Sequence, residues 1–298
     1  VSDLLALLRA HDLPATHLLG TGMEGTVVAL EDDLVAKVWH HATGPDLEAR
    51  RRFSAALDLG GAGFDVPRVL DVVDLDGTWA SVQPHLAGTP LWDRPGVSPP
   101  LDDRLVGAVT AVLDGLARVP VVPDLAVLPV LPGAAPFDPA VPFGTSLAAL
   151  VEERAGEVLR ARLPGADRVV GAVTGALRAL PEVAPRLLHG DLVPANILVD
   201  DDGRVSGVLD LGFLTTLGDP AFDAAVTASL TDMYGASARR TEAALDRVLG
   251  HPPERVAAHR LAYALVTATC YSASGSDGHF AWCLAQLERP ELREVVGA

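Results

Sequence analysis

Two carboxylates and an amide fall close together in His189-Gly190-Asp191-Leu192-Val193-Pro194-Ala195-Asn196 and Val208-Leu209-Asp210-Leu211-Gly212. Asp191 and Asn196 lie five apart on one loop, and a short hairpin returns Asp210 to the same strand end. Hard oxygen donors of this kind suit Mg2+, which keeps part of its sphere for water and phosphate. In that arrangement Asn196 and Asp210 hold the metal, and Asp191 receives the proton of an attacking hydroxyl. Two acidic turns would also supply aspartates, but they do not explain this order behind the glycine loop that precedes them.

That loop is Gly20-Thr21-Gly22-Met23-Glu24-Gly25-Thr26-Val27. A dinucleotide fingerprint would open a helix here. Instead, β-branched Thr26-Val27-Val28 and an acidic turn follow, which selects a β-hairpin flap over nucleotide phosphates, with Gly20, Gly22 and Gly25 closest to them. Taken alone, the pattern would read as an ordinary glycine turn. Glu24 would oppose phosphate and is expected to face solvent. One hairpin later comes Val35-Ala36-Lys37-Val38-Trp39, where alternation puts Val35, Lys37 and Trp39 on one face. Lys37 is the only lysine among 23 basic residues. On a largely apolar face it needs an anionic partner, which phosphate oxygens and a helix carboxylate would provide. The plainer alternative is a snorkelling lysine on an edge strand.

These residues need a β-rich frame followed by a helical one. Residues 3–10 read as a short amphipathic helix, and strands are expected around 17–19, 26–30, 34–39, 68–73 and 78–83, with a helix over 45–59. Residues 84–100 read as a Pro/Gly-rich connector. Helices are expected at 101–118, 145–162 and 166–180, then a compact β unit over 187–210, then helices near 220–234, 238–249, 253–270 and 279–289. The segment 120–142 carries seven prolines and reads as an irregular loop, either near the cleft or as a surface excursion, the latter being favoured. Tyr263, Tyr271, Phe280 and Trp282 read as core packing, and His40 and His41 as solvent-facing.

With 298 residues, 49% of them hydrophobic and 21% charged, the chain is expected to fold as one or two globular domains. A net charge of -16 argues against nucleic acid or an anionic membrane as partner and would steer a cationic substrate inward, although acidity also serves solubility. Cys270 and Cys283 are too few for a disulfide framework. The first residues, Val1-Ser2-Asp3-Leu4-Leu5, lack a signal-peptide pattern, and no uncharged stretch reaches the roughly 18 residues of a membrane span, so a cytoplasmic protein is expected.

On the His-Gly-Asp-x-x-x-x-Asn loop, the Asp-Leu-Gly segment, and the glycine loop with Lys37, the chain resembles the aminoglycoside phosphotransferase family. These are small-molecule relatives of the protein kinases, and Gly218-Asp219-Pro220-Ala221-Phe222-Asp223 is similar to the family's next segment. The resemblance implies an α+β, protein-kinase-like two-lobe fold: a nucleotide-binding lobe over 1–86, a catalytic and acceptor-binding lobe over 87–298, and a hinge about 83–90. It implies ATP or GTP as co-substrate with Mg2+, and Glu48 as the carboxylate paired with Lys37. It also implies that the backbone of Gln83 to Leu86 receives the base, with Gln83 and His85 serving because Pro84 has no amide proton. The acceptor is then a hydroxyl of a small molecule, such as an aminoglycoside or other cationic antibiotic, and Asp223, Asp232 and Asp277 fit an amine-bearing compound. A kinase of an amino sugar or choline-like alcohol and a nucleotide-binding pseudokinase scaffold are the alternatives. A protein kinase fits less well, because Val193 replaces the usual catalytic-loop lysine and no Ala-Pro-Glu segment follows. A monomer or weak dimer is expected.

Overall fold

The computed structural model describes residues 2–94 and 103–297. The connector expected over 84–100 and the helix start expected at 101 lie partly outside these residues. Helix α1 (Ser2–Ala10) packs Leu8 against a five-stranded antiparallel sheet. The sheet comprises β1 (Ala15–Thr21), β2 (Gly25–Leu30), β3 (Leu34–Trp39), β4 (Asp71–Leu75) and β5 (Thr78–Pro84) in the order β1-β2-β3-β5-β4. Alternation divides β3 as expected. Ala36 and Val38 join Leu8, Val28, Leu30, Leu75, Ala80 and Val82 in the core under α1, which leaves Lys37 and Trp39 on the opposite face.

The turns follow from residues that tolerate the left-handed region. Asp32 and Asp33 (φ 59° and 56°) join β2 to β3, while Asp76 and Gly77 (φ 58° and 94°) join β4 to β5. The second turn is two residues long, and β4 accordingly starts later than expected, at Asp71. Helix α2 (Gly44–Ala56) is started by Thr43, whose hydroxyl accepts the Asp46 amide while the Asp46 carboxylate accepts the Thr43 amide. It ends three residues before the expected stop, at Ala56.

After β6 (Thr89–Pro90) and α3 (Asp103–Arg118), the segment 120–142 runs over the surface at both ends but not in its middle. Leu125 and Leu128 enter a core with α3, and Val130 and Leu131 enter a second, helical core. Burying these four apolar side chains offsets the lack of regular structure. The helix expected over 145–162 is two, α4 (Phe143–Arg154) and α5 (Glu157–Arg162), broken at Ala155-Gly156 so that Ala155 and Leu159 both reach the core.

Then come α6 (Ala166–Ala179), β7 (Arg186–Leu188), β8 (Ile197–Val199), β9 (Val205–Val208) and β10 (Thr216–Gly218). The β unit expected over 187–210 is split: β7 pairs with β10, while β8 pairs with β6 and β9. Helices α7 (Pro220–Leu230), α8 (Ala238–Leu249), α9 (Pro253–Thr267), α10 (Gly278–Leu287) and α11 (Pro290–Val296) complete the fold. Every residue of α9 from Arg255 to Thr267 is buried, packed among α4, α6, α7, α10 and α11. Among the described residues, no helix is long and apolar enough to cross a membrane.

Candidate active site

The loop after β7 is held from several sides. The Asp223 carboxylate, at the first turn of α7, accepts the amides of His189 (2.7 Å) and Gly190 (2.8 Å). The Thr215 hydroxyl donates to the His189 carbonyl at 2.6 Å and accepts the Gly212 amide at 2.7 Å. His189 is fully buried. Its Nδ1 accepts the Asp191 amide, so the proton is assigned to Nε2, which donates to the Leu209 carbonyl at 2.9 Å. Burial lowers its pKa, keeping the imidazole neutral as a strut between the two aspartate segments. Gly190 (φ 89°) has no room for a side chain, since a Cβ would stand 2.4 Å from the Phe213 carbonyl.

This frame presents Asp191. Its Oδ1 accepts the Tyr263 hydroxyl of α9 at 2.7 Å. Burial pushes its carboxyl up to about 6, the Tyr263 hydrogen bond opposes that rise, and the charges of Asp210 and Glu24 add to it. A carboxylate poised near neutrality suits proton acceptance.

Asp210 sits in the left-handed region (φ 57°), uncommon for a non-glycine residue and frequent at functional sites. Lys37 Nζ lies 3.0 Å from its Oδ1. Burial would raise the Asp210 carboxyl, but Lys37, through its charge and its hydrogen bond, and the more distant Arg50 hold it below its ordinary value. The Leu209 amide donates to the Asn196 carbonyl at 2.8 Å, so the two expected metal ligands belong to one backbone unit. No cluster of three or more His, Cys, Asp or Glu that could hold a metal occurs among the described residues. One carboxylate and one amide oxygen leave room for water and phosphate, which fits magnesium and does not fit a fully protein-bound cation.

The glycine loop is the turn between β1 and β2, with Gly22 donating to the Gly25 carbonyl at 2.9 Å. Gly25 passes so close to β3 that a Cβ would meet the Val38 carbonyl at 2.4 Å, whereas Gly20 and Gly22 face open space. His40 is exposed, as expected, yet it steadies the loop: its amide donates to the Glu24 carbonyl (2.9 Å), and its Nδ1 lies 3.1 Å from the Met23 carbonyl.

Two expectations are corrected here. Glu24 does not face away: its Oε2 lies 2.9 Å from Lys37 Nζ. Glu48 is not the partner of Lys37; it pairs with Arg51 at 2.8 Å, both half-exposed. The reason is helical register, because burying Leu47, Phe53 and Ser54 turns Arg50 towards Lys37 and carries Glu48 away. Arg50 rests on the Trp39 ring, and its Nη1 donates to the Leu211 carbonyl at 2.8 Å. At the end of β5, the Gln83 side chain donates to Ser81 Oγ, and the His85 amide donates to the Asp33 carbonyl at 2.7 Å. A base contact at His85 therefore falls to its carbonyl.

Two of the three acids expected to greet an amine-bearing acceptor are engaged otherwise, and the third, Asp232, has a buried Oδ2 without a hydrogen-bond partner among the described residues. Asp223 holds the Asp191 loop, Asp277 caps α10 through the Phe280 amide at 2.7 Å, and Asp232 is buried. Next to Asp191 stand aromatic groups instead: Tyr263, then Tyr271, stacked on Phe213 with centroids 6.3 Å apart. Tyr263 is buried as expected of a core residue, but its hydroxyl serves the site, which a helical pattern in the sequence does not disclose. Asp219 caps α7 and also pairs with buried Arg255. Cys270 and Cys283 are free thiols.

The fold agrees with that of known proteins. The structure of APH(2")-IIia with GDP and kanamycin superposes with a TM-score of 0.64 at 17% identity, over 100% of this chain and 99% of that one. Macrolide 2'-phosphotransferase MphH from Brachybacterium faecium, as apoenzyme, gives 0.62 at 20% identity, over 97% and 99%. APH(3'')-Id from Streptomyces rimosus, with ADP and streptomycin, gives 0.55 at 22% identity, over 89% and 98%. No curated protein sequence matches the chain significantly. The phosphotransferase enzyme family (APH) matches residues 16–259, which span the glycine loop, Lys37, the Asp191 loop, Asp210 and the first half of α9. The chain, with its α+β protein-kinase-like fold, belongs to that family.

Proposed function

We propose that this protein moves the γ-phosphate of ATP or GTP to a hydroxyl of a small molecule. The observation that carries this reading is the meeting of the Lys37–Asp210 pair (3.0 Å) with a Tyr263-held Asp191. Residues 1–86 form the nucleotide lobe, 87–298 the catalytic and acceptor lobe, and 83–90 the hinge between them. Gly20, Gly22 and Gly25 cover the phosphates, and Lys37 grips their oxygens. Asn196 and Asp210 would hold Mg2+, which neutralises phosphate charge when bound. Asp191 accepts the acceptor hydroxyl's proton as the new O–P bond forms and the bond to the leaving diphosphate breaks.

Kanamycin and streptomycin occur in complexes of similar structures, and they support a polyhydroxylated, amine-bearing acceptor. The Phe213–Tyr271 pair favours an acceptor that also offers an apolar ring face and a cationic amine. The test is nucleoside diphosphate release from ATP or GTP with magnesium across aminoglycosides, macrolides, amino sugars and amino alcohols. Failure to bind any magnesium nucleotide would sink the reading.

The Asp191 environment fixes a pH dependence. Because its carboxyl titrates at about 6, the base form is lost as pH falls through that value, and kcat/KM for nucleotide should drop about tenfold per unit below it. The Tyr263 hydroxyl favours the ionised form, so Tyr263→Phe should move the acid limb to higher pH. An unchanged limb in Tyr263→Phe would show that this hydrogen bond does not tune the base.

A further inference from the structure

Glu24 uses its two oxygens on two different cations. Oε2 lies 2.9 Å from Lys37 Nζ, and Oε1 lies 3.6 Å from Arg50 Nη2. Both cations rest on one indole, at 4.2 Å and 4.3 Å from the Trp39 ring centroid. That indole is fixed from behind, since Trp39 Nε1 donates to Ser81 Oγ at 2.9 Å. Arg50 is fixed from the side by the Leu211 carbonyl, next to Asp210. These are two rigidly held positive groups, and the anion that spans them comes from the tip of the glycine loop. The Glu24 side chain is 39% exposed against 13% for Lys37 and 20% for Arg50, so the anion is the outer member of the three.

From this geometry we infer that Arg50 is a second phosphate-binding cation beside Lys37, and that Glu24 occupies the phosphate position until nucleotide displaces it. A carboxylate with one oxygen on each cation stands in for two non-bridging oxygens of a phosphate group. With Glu24 and Asp210 the four-residue cluster is neutral. A magnesium nucleotide adds further negative charge, so a Glu24 retained there would repel it across a short distance in a partly buried site. If Glu24 swings out with the loop, Lys37 and Arg50 both remain facing the phosphates. Arg50's planar fork can hold the Leu211 carbonyl and a phosphate oxygen together, which a lysine could not reproduce. The α2 side chain that shares the Trp39 ring with Lys37 is thus positive in this chain, and the carboxylate comes from the glycine loop instead.

This inference rests on the phosphotransferase reading. Its test measures binding of magnesium ADP and magnesium ATP to the full chain by titration calorimetry, with tryptophan fluorescence reporting on Trp39, in wild type, Glu24→Gln, Arg50→Gln and Arg50→Lys. Glu24→Gln should bind nucleotide severalfold tighter. Arg50→Gln should bind at least tenfold weaker with a raised nucleotide KM, and Arg50→Lys should fall between. Weaker binding in Glu24→Gln would overturn the inference, because Glu24 would then be the working partner of Lys37 in the complex. Unchanged affinity in Arg50→Gln would equally overturn it. If Arg50→Gln does not fold, as judged by circular dichroism, Glu24→Gln and Arg50→Lys still decide. Absence of nucleotide binding in wild type would defeat the phosphotransferase reading as well, whereas wild-type binding with unresponsive variants defeats this inference alone.

Discussion

Asp191→Asn should lose turnover by roughly a hundredfold to ten-thousandfold, the usual worth of a positioned general base, while keeping its affinity for magnesium nucleotide. The substitution preserves shape, and the amide oxygen can still accept the Tyr263 hydroxyl, so Tyr263 is not orphaned on α9. What disappears is the capacity to take a proton. The same variant should be no less stable than wild type and, above neutral pH, more stable. The Asp191 carboxyl titrates at about 6 in the fold against 3.8 in the unfolded chain, chiefly through burial. The native state therefore binds the proton more tightly, and stability falls as pH rises between those two values. Removing the titratable charge should recover on the order of 3 kcal/mol above pH 7. Denaturant unfolding at pH 5 and pH 8 checks the sign: the gain over wild type should be larger at pH 8. A variant with undiminished turnover would sink the base assignment, and a uniformly destabilised one would show that the charge is well solvated in the fold.

The parts of this site that the sequence disclosed are those in which spacing alone forces proximity. Asp191 and Asn196 share one loop, Asp210 returns across β8 and β9, and Lys37 lies one hairpin after the glycine loop. Strand alternation then sufficed to put Lys37 and Trp39 on one face. The errors arose where a side chain's direction depends on packing at a distance. Helix α2 reads Gly-Pro-Asp-Leu-Glu-Ala-Arg-Arg-Arg-Phe-Ser-Ala-Ala, with so few large apolar residues that its buried face is weakly marked, and a rotation of one or two residues exchanges Glu48 for Arg50. Phosphate under the glycine loop would drive Glu24 to solvent, whereas Lys37 and Arg50 attract its carboxylate inward. The pairing of β7 with β10 joins segments separated by the whole Asp191 and Asp210 region, and strands of three residues carry too little periodicity to announce a partner. By contrast, the burial of 125–131 had a legible signal, since Leu125, Leu128, Val130 and Leu131 are too apolar for a loop on the surface.

Asp223→Ala should be among the most damaging single changes in the protein, although Asp223 stands apart from the reacting groups. In the sequence it passes for first-turn helix chemistry or an acid awaiting a cationic acceptor. In the fold it is fully buried, and both of its oxygens are spent on the amides of His189 and Gly190. Alanine would leave two buried N–H groups unsatisfied, at about 1–3 kcal/mol each. Gly190 cannot relax to find other partners, because at φ 89° it is wedged against the Phe213 and Leu214 backbone. Strain released there moves Asp191, and small displacements of a reacting group cost large factors in rate. Asp223→Ala is therefore expected to lower the unfolding midpoint and to reduce kcat at least tenfold in the fraction that remains folded, with nucleotide affinity largely kept. Lys37, Arg50 and the glycine loop, to which we assign that affinity, are braced by Trp39 and His40 and not by Asp223. Asp223→Asn is the sharper comparison: its single carbonyl oxygen can accept only one oxygen's share of the hydrogen bonds, and its amide turns donors towards a donor. It should be destabilised as well, despite its matched volume. Wild-type stability and turnover in both variants would mean that the Asp191 loop is held by Thr215 and His189 alone, and that the α7 carboxylate is not the anchor of the base.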